Sequence, residues 1–184
     1  MLELSILGFL REEPVHGLHG YELKGRLHAL NGHIRPVSDG ALYPAINRLV
    51  RAGLVEQRTE PGSAAAPRRV LSLTEDGHGR LLALLREPKD VEITDGQRFF
   101  TLLAFLHHLP VRAEQAAVLR RRQAFLDAPA SFFYRDGEPV RAEEEPDLFR
   151  QGMLRIARAT SREEKEWLSE AIAALDSPLG GQGH

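Results

Sequence analysis

The chain has 184 residues, which fits one domain or two small ones, and its 42% hydrophobic and 27% charged residues are typical of a soluble globular protein. It contains no cysteine, which excludes disulfides, thiolate metal ligands and cysteine nucleophiles. No basic and apolar signal segment opens the chain, and the longest apolar run, residues 99–109, is too short to cross a bilayer, so we expect a cytoplasmic location.

The net charge of −2 is unevenly distributed along the chain. Residues 41–73 carry five arginines against two glutamates, a net charge of +3. Residues 86–184 carry fourteen basic and seventeen acidic residues. Positive charge concentrated in one stretch is typical of a surface that contacts nucleic acid. So small a charge predicts weak non-specific affinity.

The first 30 residues predict two helices, over residues 1–11 and 20–30. Pro14 disfavours helix at the residue before it, so the first helix stops there. The predicted core residues of the first helix are Leu2, Ile6, Leu7, Phe9 and Leu10. Between the helices, residues 16–20 repeat a His-Gly unit that predicts a flexible turn. A metal site on its two histidines is disfavoured, because the glycines weaken any helix and no third ligand is evident.

Residues 38–55 predict a helix with one apolar and one polar face. Ser38 is a good N-cap, and Gly53 suits the left-handed position after the helix. The apolar stripe consists of Leu42, Ala45, Ile46, Leu49 and Val50. The opposite face carries Tyr43, Asn47, Arg48 and Arg51, which can stack, hydrogen-bond and neutralise phosphate. Pro44 leaves two starts open, at Ser38 or at residues 43–44 with proline in the first turn.

Two strands and a fourth helix follow. The strands cover residues 54–59 and 68–73, with residues 60–67 as the tip between them, and Thr74 N-caps the helix. Residues 87–90 break that helix and mark a domain boundary. The order of elements predicts a mainly α protein whose N-terminal domain is a winged helix-turn-helix, with three helices and a two-stranded wing.

The motifs of this half resemble those of PadR-like transcriptional regulators. They are ILGFL at 6–10, HGYEL at 19–23, GALYPAINRL at 40–49 with GLV at 53–55, a Pro-Arg at 67–68 and LTEDG at 73–77. The resemblance covers residues 1–85, and the second half resembles the helical C-terminal domain of many PadR members. The wing departs from the family, since Ala65-Ala66 stands where Gly-Arg is usual and Val70-Leu71 where aromatic residues are usual.

The resemblance implies a sequence-specific, dimeric regulator, most often a repressor, that binds an inverted repeat in double-stranded DNA. It also implies a small aromatic or lipophilic effector that releases the DNA. We expect neither a cofactor nor a metal. The candidate DNA-binding residues are Tyr21, Lys24, Ser38, Tyr43, Asn47, Arg48, Arg51, Arg68 and Arg69. For Lys24, a solvated face remains the open alternative.

The second half predicts helices over residues 95–109, 113–126 and 146–176. The first is apolar nearly all round, and the last follows a near-heptad course, which is typical of a partner helix or of burial within the chain. The candidate dimerisation residues are Phe99, Leu103, Leu106, Phe149, Met153, Ile156, Trp167 and Ala171. The candidate effector-pocket residues are Phe132, Phe133, Tyr134 and Trp167, for which core or dimer packing is the alternative.

These patterns predict a DNA-binding domain over residues 1–87, a helical dimerisation and effector domain over 91–176 and a disordered tail over 177–184. Arg120–Arg122 offer a second nucleic-acid site or, more simply, a solvated face. The chain shows no nucleophile elbow, phosphate loop or HExxH motif, which argues against an enzyme. A winged-helix protein-interaction module without DNA binding remains the alternative function.

Overall fold

The computed structural model describes residues 1–32, 37–60, 68–128, 134–135 and 138–177. For five of these it describes the backbone alone: Asn31, Arg68, Tyr134, Arg135 and Pro139. The described residues form a mainly helical protein with a small antiparallel sheet. The chain divides into two compact units, residues 1–110 and 111–184. The sequence predicted the domain boundary at residues 87–90, and the functional division made there stays a prediction. None of the described helices is long and apolar enough to cross a membrane.

The first unit is built around its first helix, α1, which packs against α2, α3, α4 and α6. The elements are α1 (Leu2–Glu12), β1 (Leu18–His19), α2 (Gly20–Asn31), α3 (Asp39–Arg51), β2 (Val55–Glu60), β3 (Arg68–Leu73), α4 (Glu75–Arg86), α5 (Asp90–Thr94), α6 (Gly96–Phe105) and a 3-10 helix (Leu106–His108). Ile6, Leu7 and Leu10 are fully buried as predicted. Leu2 and Phe9 are only half-buried, and Leu4 takes a core position instead.

Helix α3 starts and ends where the sequence predicts. The Ser38 hydroxyl accepts a hydrogen bond from the backbone N–H of Ala41 at 3.3 Å, so Pro44 lies inside the helix rather than at its start. At the other end, Gly53 has φ +72°. Its N–H donates to the Val50 carbonyl, and the Leu54 N–H donates to the Leu49 carbonyl, both at 3.0 Å. This Schellman motif turns the chain directly into β2.

The sheet has three strands in the order β1-β3-β2. β2 and β3 form the predicted two-stranded wing, and β1 adds a strand where the sequence predicted a flexible turn at residues 16–20, a prediction that is wrong. Leu18 pairs with Leu71 and His19 with Val70, while β2 pairs with β3 from Val55↔Leu73 to Glu60↔Arg68. Gly17 permits this pairing, because it has φ +68° and a Cβ there would lie 2.4 Å from the Leu71 carbonyl oxygen. Gly17, which would weaken a helix, therefore allows β1 to pair with β3.

Replacing Gly17 with alanine should destabilise the first unit more than replacing Gly53. Both glycines have positive φ, but a Cβ at Gly53 meets nothing within 4 Å, so Gly53→Ala isolates the backbone strain of about 1–2 kcal/mol. Gly17→Ala adds a collision with the backbone of β3 and should lose at least about 1 kcal/mol more. Denaturant unfolding measures both. Equal losses would show that β1 is not held against β3.

The predicted helix over 95–109 is divided in two. Asp95 caps α6 by accepting a hydrogen bond from the Arg98 N–H at 2.9 Å, and α6 gives way to the 3-10 helix at Leu106. The Phe105 ring contacts the Phe9 ring edge to face at 5.0 Å between centroids. It also fills the space over Gly8, where a Cβ would lie 2.3 Å from the ring. The end of α6 therefore belongs to the same core as α1.

The second unit contains α7 (Arg112–Asp127), β4 (Tyr134–Arg135), β5 (Glu138–Pro139), a second 3-10 helix (Ala142–Glu144) and α8 (Leu148–Asp176). α7 and α8 pack as an antiparallel pair, since Arg112 hydrogen-bonds the Ala174 carbonyl and Asp127 pairs with Lys165 at 2.8 Å. Arg122 does not belong to a solvated arginine face as predicted. It is buried and holds both carboxylate oxygens of Glu164, at 2.7 and 3.1 Å. A buried arginine whose fork holds a half-buried carboxylate is a structural ion pair.

Candidate nucleic-acid interface

Three elements of the first unit enclose one groove of about 550 Å³. The N-terminus of α2, the polar face of α3 and the sheet each contribute to it. The lining residues are His19, Gly20, Tyr21, Tyr43, Ile46, Asn47, Gln57, Arg69 and Leu71. Four of the nine candidate DNA-binding residues, Tyr21, Tyr43, Asn47 and Arg69, therefore share one surface.

The exposed face of α3 has two edges with different neighbours. Tyr43 and Asn47 border the groove, and the Tyr43 ring rests over Gly20, where a Cβ would lie 3.3 Å from it. Arg48 lies on the opposite edge and lines a smaller cavity of about 280 Å³ with Glu3 and Arg80. Because both edges stay exposed while the stripe from Leu42 to Leu49 is buried, α3 presents its whole polar side outward.

Lys24 and the start of α3 form an ion pair. The Lys24 ammonium lies 2.7 Å from a carboxylate oxygen of Asp39, with Lys24 partly covered and Asp39 exposed. Asp39 suits the positive end of the helix dipole. It would nevertheless repel a DNA phosphate, and the Lys24 charge offsets that repulsion. An exposed pair of this kind contributes little stability, so its electrostatic effect on the surface is the more important one.

The sheet brings Arg69 to the groove, opposite Thr59 in the register with β2. Arg69 is exposed, and its backbone carbonyl accepts a hydrogen bond from Nδ1 of His19 at 3.2 Å. Arg68 pairs with Glu60 at the last described step of the ladder. Of the predicted wing tip, residues 60–67, Glu60 is the last residue of β2, and residues 61–67 lie outside the described residues, as does the Arg68 side chain.

Tyr21 stands at the first turn of α2 with its side chain 63% exposed. Its ring stacks on the His19 ring, with 5.6 Å between centroids and planes 8° apart. The backbone N–H of His19 donates to the Glu22 carboxylate at 2.8 Å, which fixes the start of the helix. The stacked pair gives the groove an aromatic wall beside the polar face of α3.

Sequence reasoning did not assign His19 and Gln57 to this surface. His19 lies on β1, a strand that the His-Gly repeat did not predict. Gln57 is a half-buried polar residue on the same side of β2 as buried Val55. The alternation of inward and outward residues along β2 could have identified Gln57, because a polar side chain at an inward position is a candidate for a functional role.

Two of the predicted DNA-binding residues lie at the ends of α3. Ser38 serves as the helix cap, and Arg51 is exposed at the end of α3 with its Nε donating to the Asn47 carbonyl.

The candidate dimerisation residues separate into two groups. Phe99 and Leu106 are buried, so these two do not line an open surface, and Leu103 is half-buried. On α8, Phe149 and Ile156 are 84% and 71% exposed, while Met153 and Trp167 are 43% exposed. Ala171 is half-buried. Of the candidate effector-pocket residues, Phe132 and Phe133 lie outside the described residues, as does the Tyr134 side chain.

Residues 6–83 match the family described as "Transcriptional regulator PadR-like family". Comparison with curated proteins gave no match. Among solved structures, Bacillus subtilis PadR in complex with operator DNA is 22% identical, with 95% of this chain and 99% of that chain covered and a TM-score of 0.45. The protein smu.1604c from Streptococcus mutans UA159 is 16% identical, with 95% of each chain covered and a TM-score of 0.43.

The family match runs from the second turn of α1 to the last turn of α4, and so includes α2, α3 and the sheet that enclose the groove. The motifs that resemble PadR-like regulators lie on these same elements. Residues 6–83, which carry the groove, are therefore the part of this chain that matches the PadR-like family of transcriptional regulators.

Proposed function

We propose that this protein is a sequence-specific DNA-binding regulator that acts as a dimer and represses transcription until a small-molecule effector releases it. The observation that carries the DNA-binding part is the groove within the PadR-like domain, where an exposed helix face meets an arginine-bearing sheet. A helix of this kind fits the major groove of B-form DNA, and a wing beside it reaches the backbone.

The residues of the groove divide the work between bases and phosphates. Asn47 can pair with the edge of adenine through its amide, and Tyr43 offers a ring and a hydroxyl near the helix N-terminus. Arg48, Arg51 and Arg69 supply charge at exposed positions around them, suited to phosphate. Base contacts give sequence preference, whereas phosphate contacts give register and affinity.

Dimerisation supplies the affinity that one groove lacks. The exposed apolar side chains of α8 recur at Phe149, Met153, Ile156 and Trp167 and form one face of the helix. Large exposed side chains in one stripe mark an association surface. A two-fold dimer with its recognition helices roughly one DNA turn apart, ~34 Å, would bind an inverted repeat.

Tryptophan fluorescence can report the binding of the proposed effector. The chain has a single tryptophan, Trp167, which is 43% exposed on α8. A small aromatic or lipophilic compound that binds beside it should change its fluorescence and weaken operator binding over the same concentration range. Fluorescence change without release of DNA would contradict effector control.

Titration of the intact protein with duplex DNA tests the central claim. The probe is the inverted repeat upstream of its own reading frame, and the control is a scrambled duplex of equal composition, each at two salt concentrations. We expect the operator to bind roughly 10³-fold or more tightly than the control, and both affinities to fall steeply with salt. Equal affinity for both would contradict sequence specificity, and no binding at low salt would favour the protein-interaction module.

Removing the two wing arginines should weaken operator and scrambled DNA alike. Each lost phosphate contact reduces the slope of log K against log salt by about 0.9, so Arg68→Ala with Arg69→Ala should reduce it by up to ~1.8. Arg162→Ala, which removes a charge from an exposed position on α8, is the control and should leave the slope unchanged. A change in base preference with an unchanged slope would contradict the phosphate role.

A further inference from the structure

Three metal-ligating side chains meet where the end of α1 approaches the 3-10 helix of the first unit. Glu12 is the last residue of α1, and His107 and His108 end the 3-10 helix. One ligand atom from each of the three lies within 4.8 Å of the others. The packing of α6 against α1 brings them together across about 95 residues of sequence. We propose that Glu12, His107 and His108 bind a divalent transition-metal cation of the Zn²⁺ class.

His108 has the environment of a metal ligand. Its ring stacks beside Phe105, with 6.3 Å between centroids and planes 10° apart, and lies 4.0 Å from the His107 ring. Nε2 of His108 is buried and has no hydrogen-bond partner among the described residues. A buried nitrogen with a lone pair and no partner is energetically costly, and a metal ion would satisfy it.

The donor set suits zinc and its relatives rather than magnesium or calcium. Two imidazoles and one carboxylate are borderline-soft ligands that Zn²⁺ accepts, and three protein ligands leave a fourth position open to water. Bond lengths near 2.0–2.1 Å require the ligand atoms to approach more closely than 4.8 Å. Glu12 and His107 are exposed, so their side chains can rotate inward without disturbing the core.

One competing interaction must be displaced. Arg26 lies 3.4 Å from Glu12, but it also pairs with Glu13 at 2.5 Å. When Glu12 turns to a metal ion, Arg26 keeps its closer carboxylate. Both pairs are partly exposed, so the exchange costs little.

Calorimetric titration of the intact, untagged, EDTA-stripped protein with ZnCl₂ tests the site. We expect one Zn²⁺ per protomer, a higher Tm with metal, and a visible absorption band of tetrahedral Co²⁺ when CoCl₂ replaces ZnCl₂. His107→Ala and Glu12→Gln should each weaken binding at least about tenfold, since loss of even an outer-shell partner has that effect. His16→Ala removes an exposed histidine outside the cluster and should leave affinity unchanged.

The variants keep the outcome interpretable, because both altered side chains are exposed and Tm without metal reports any loss of folding. The proposal is overturned if Zn²⁺ binds with no defined stoichiometry or not at all. It is also overturned if His16→Ala weakens binding as much as His107→Ala does, because binding would then be spread over surface histidines.

Discussion

Replacing Ile156 with glutamate is expected to abolish the dimer and operator binding together. Ile156 is 71% exposed in the middle of the apolar face of α8, so its own chain gains little from it. In the proposed interface, each protomer would bury an unpaired carboxylate, which costs several kcal/mol. Dimerisation should weaken by roughly 10²- to 10³-fold or more, at ~1.4 kcal/mol for each factor of ten. Sedimentation at micromolar concentration measures the effect.

Ala173→Glu is the matched control for Ile156→Glu. Ala173 is exposed on the same helix, about 100° around the axis from Ile156, and the change adds the same charge outside the apolar face. It should leave the dimer intact. Trp167 is a less clean position for this test, since it is 43% exposed and therefore packs more against its own chain. If the wild-type protein is a monomer at that concentration and still binds its operator, the proposed dimer is wrong.

Replacing Tyr43 with alanine is expected to weaken operator binding by roughly 10- to 100-fold, since a good base contact contributes about 1–3 kcal/mol of discrimination. The side chain is 46% exposed and lies outside the buried stripe of α3. Its ring contributes to the groove beside Asn47 rather than to the core. A gel-shift titration of operator and scrambled DNA measures the loss, which should fall mainly on the operator.

Tyr43→Phe separates the two contributions of that side chain. Phenylalanine keeps the ring over Gly20 and removes only the hydroxyl, so it should preserve Tm and retain binding that depends on stacking. If Tyr43→Ala lowers Tm strongly and weakens both DNAs equally, Tyr43 supports the contact between α3 and α2 instead. Asn47 would then be the remaining candidate in the groove for contact with the DNA bases.

Local sequence determined where three of the helices, α3, α4 and α6, begin. Ser38, Thr74 and Asp95 are short polar residues whose side chains accept from backbone N–H groups three residues on, at 3.3, 3.0 and 2.9 Å. These bonds form within one turn and need no distant partner, which is why a sequence pattern predicts them. The apolar stripe of α3 is likewise a local period, and its predicted members from Leu42 to Leu49 are buried.

The tertiary structure decided what lies far apart in the sequence. β1 exists because β3 lies beside it, with paired residues 51 and 53 positions apart in the sequence, and Gly17 allows the two backbones to approach closely. The Phe105 ring of α6 packs over Gly8, so a glycine that would be expected to destabilise α1 instead leaves the space for that ring. The sequence predicted Arg122 as part of a solvated arginine face, whereas in the structure it forms an ion pair with Glu164 on α8.

The same division holds for the candidate sites. The polar face of α3 could be read from its own spacing, but the meeting of Tyr21, Asn47 and Arg69 in one groove depends on how α2, α3 and the sheet pack. The cluster of Glu12 with His107 and His108 gave no signal in the sequence. Helix capping and the spacing of apolar residues along a helix depend on residues that are close in the sequence, so a local pattern predicts them. Strand pairing, ion pairing and ligand clusters depend on packing between residues far apart in the sequence, so a local pattern does not predict them.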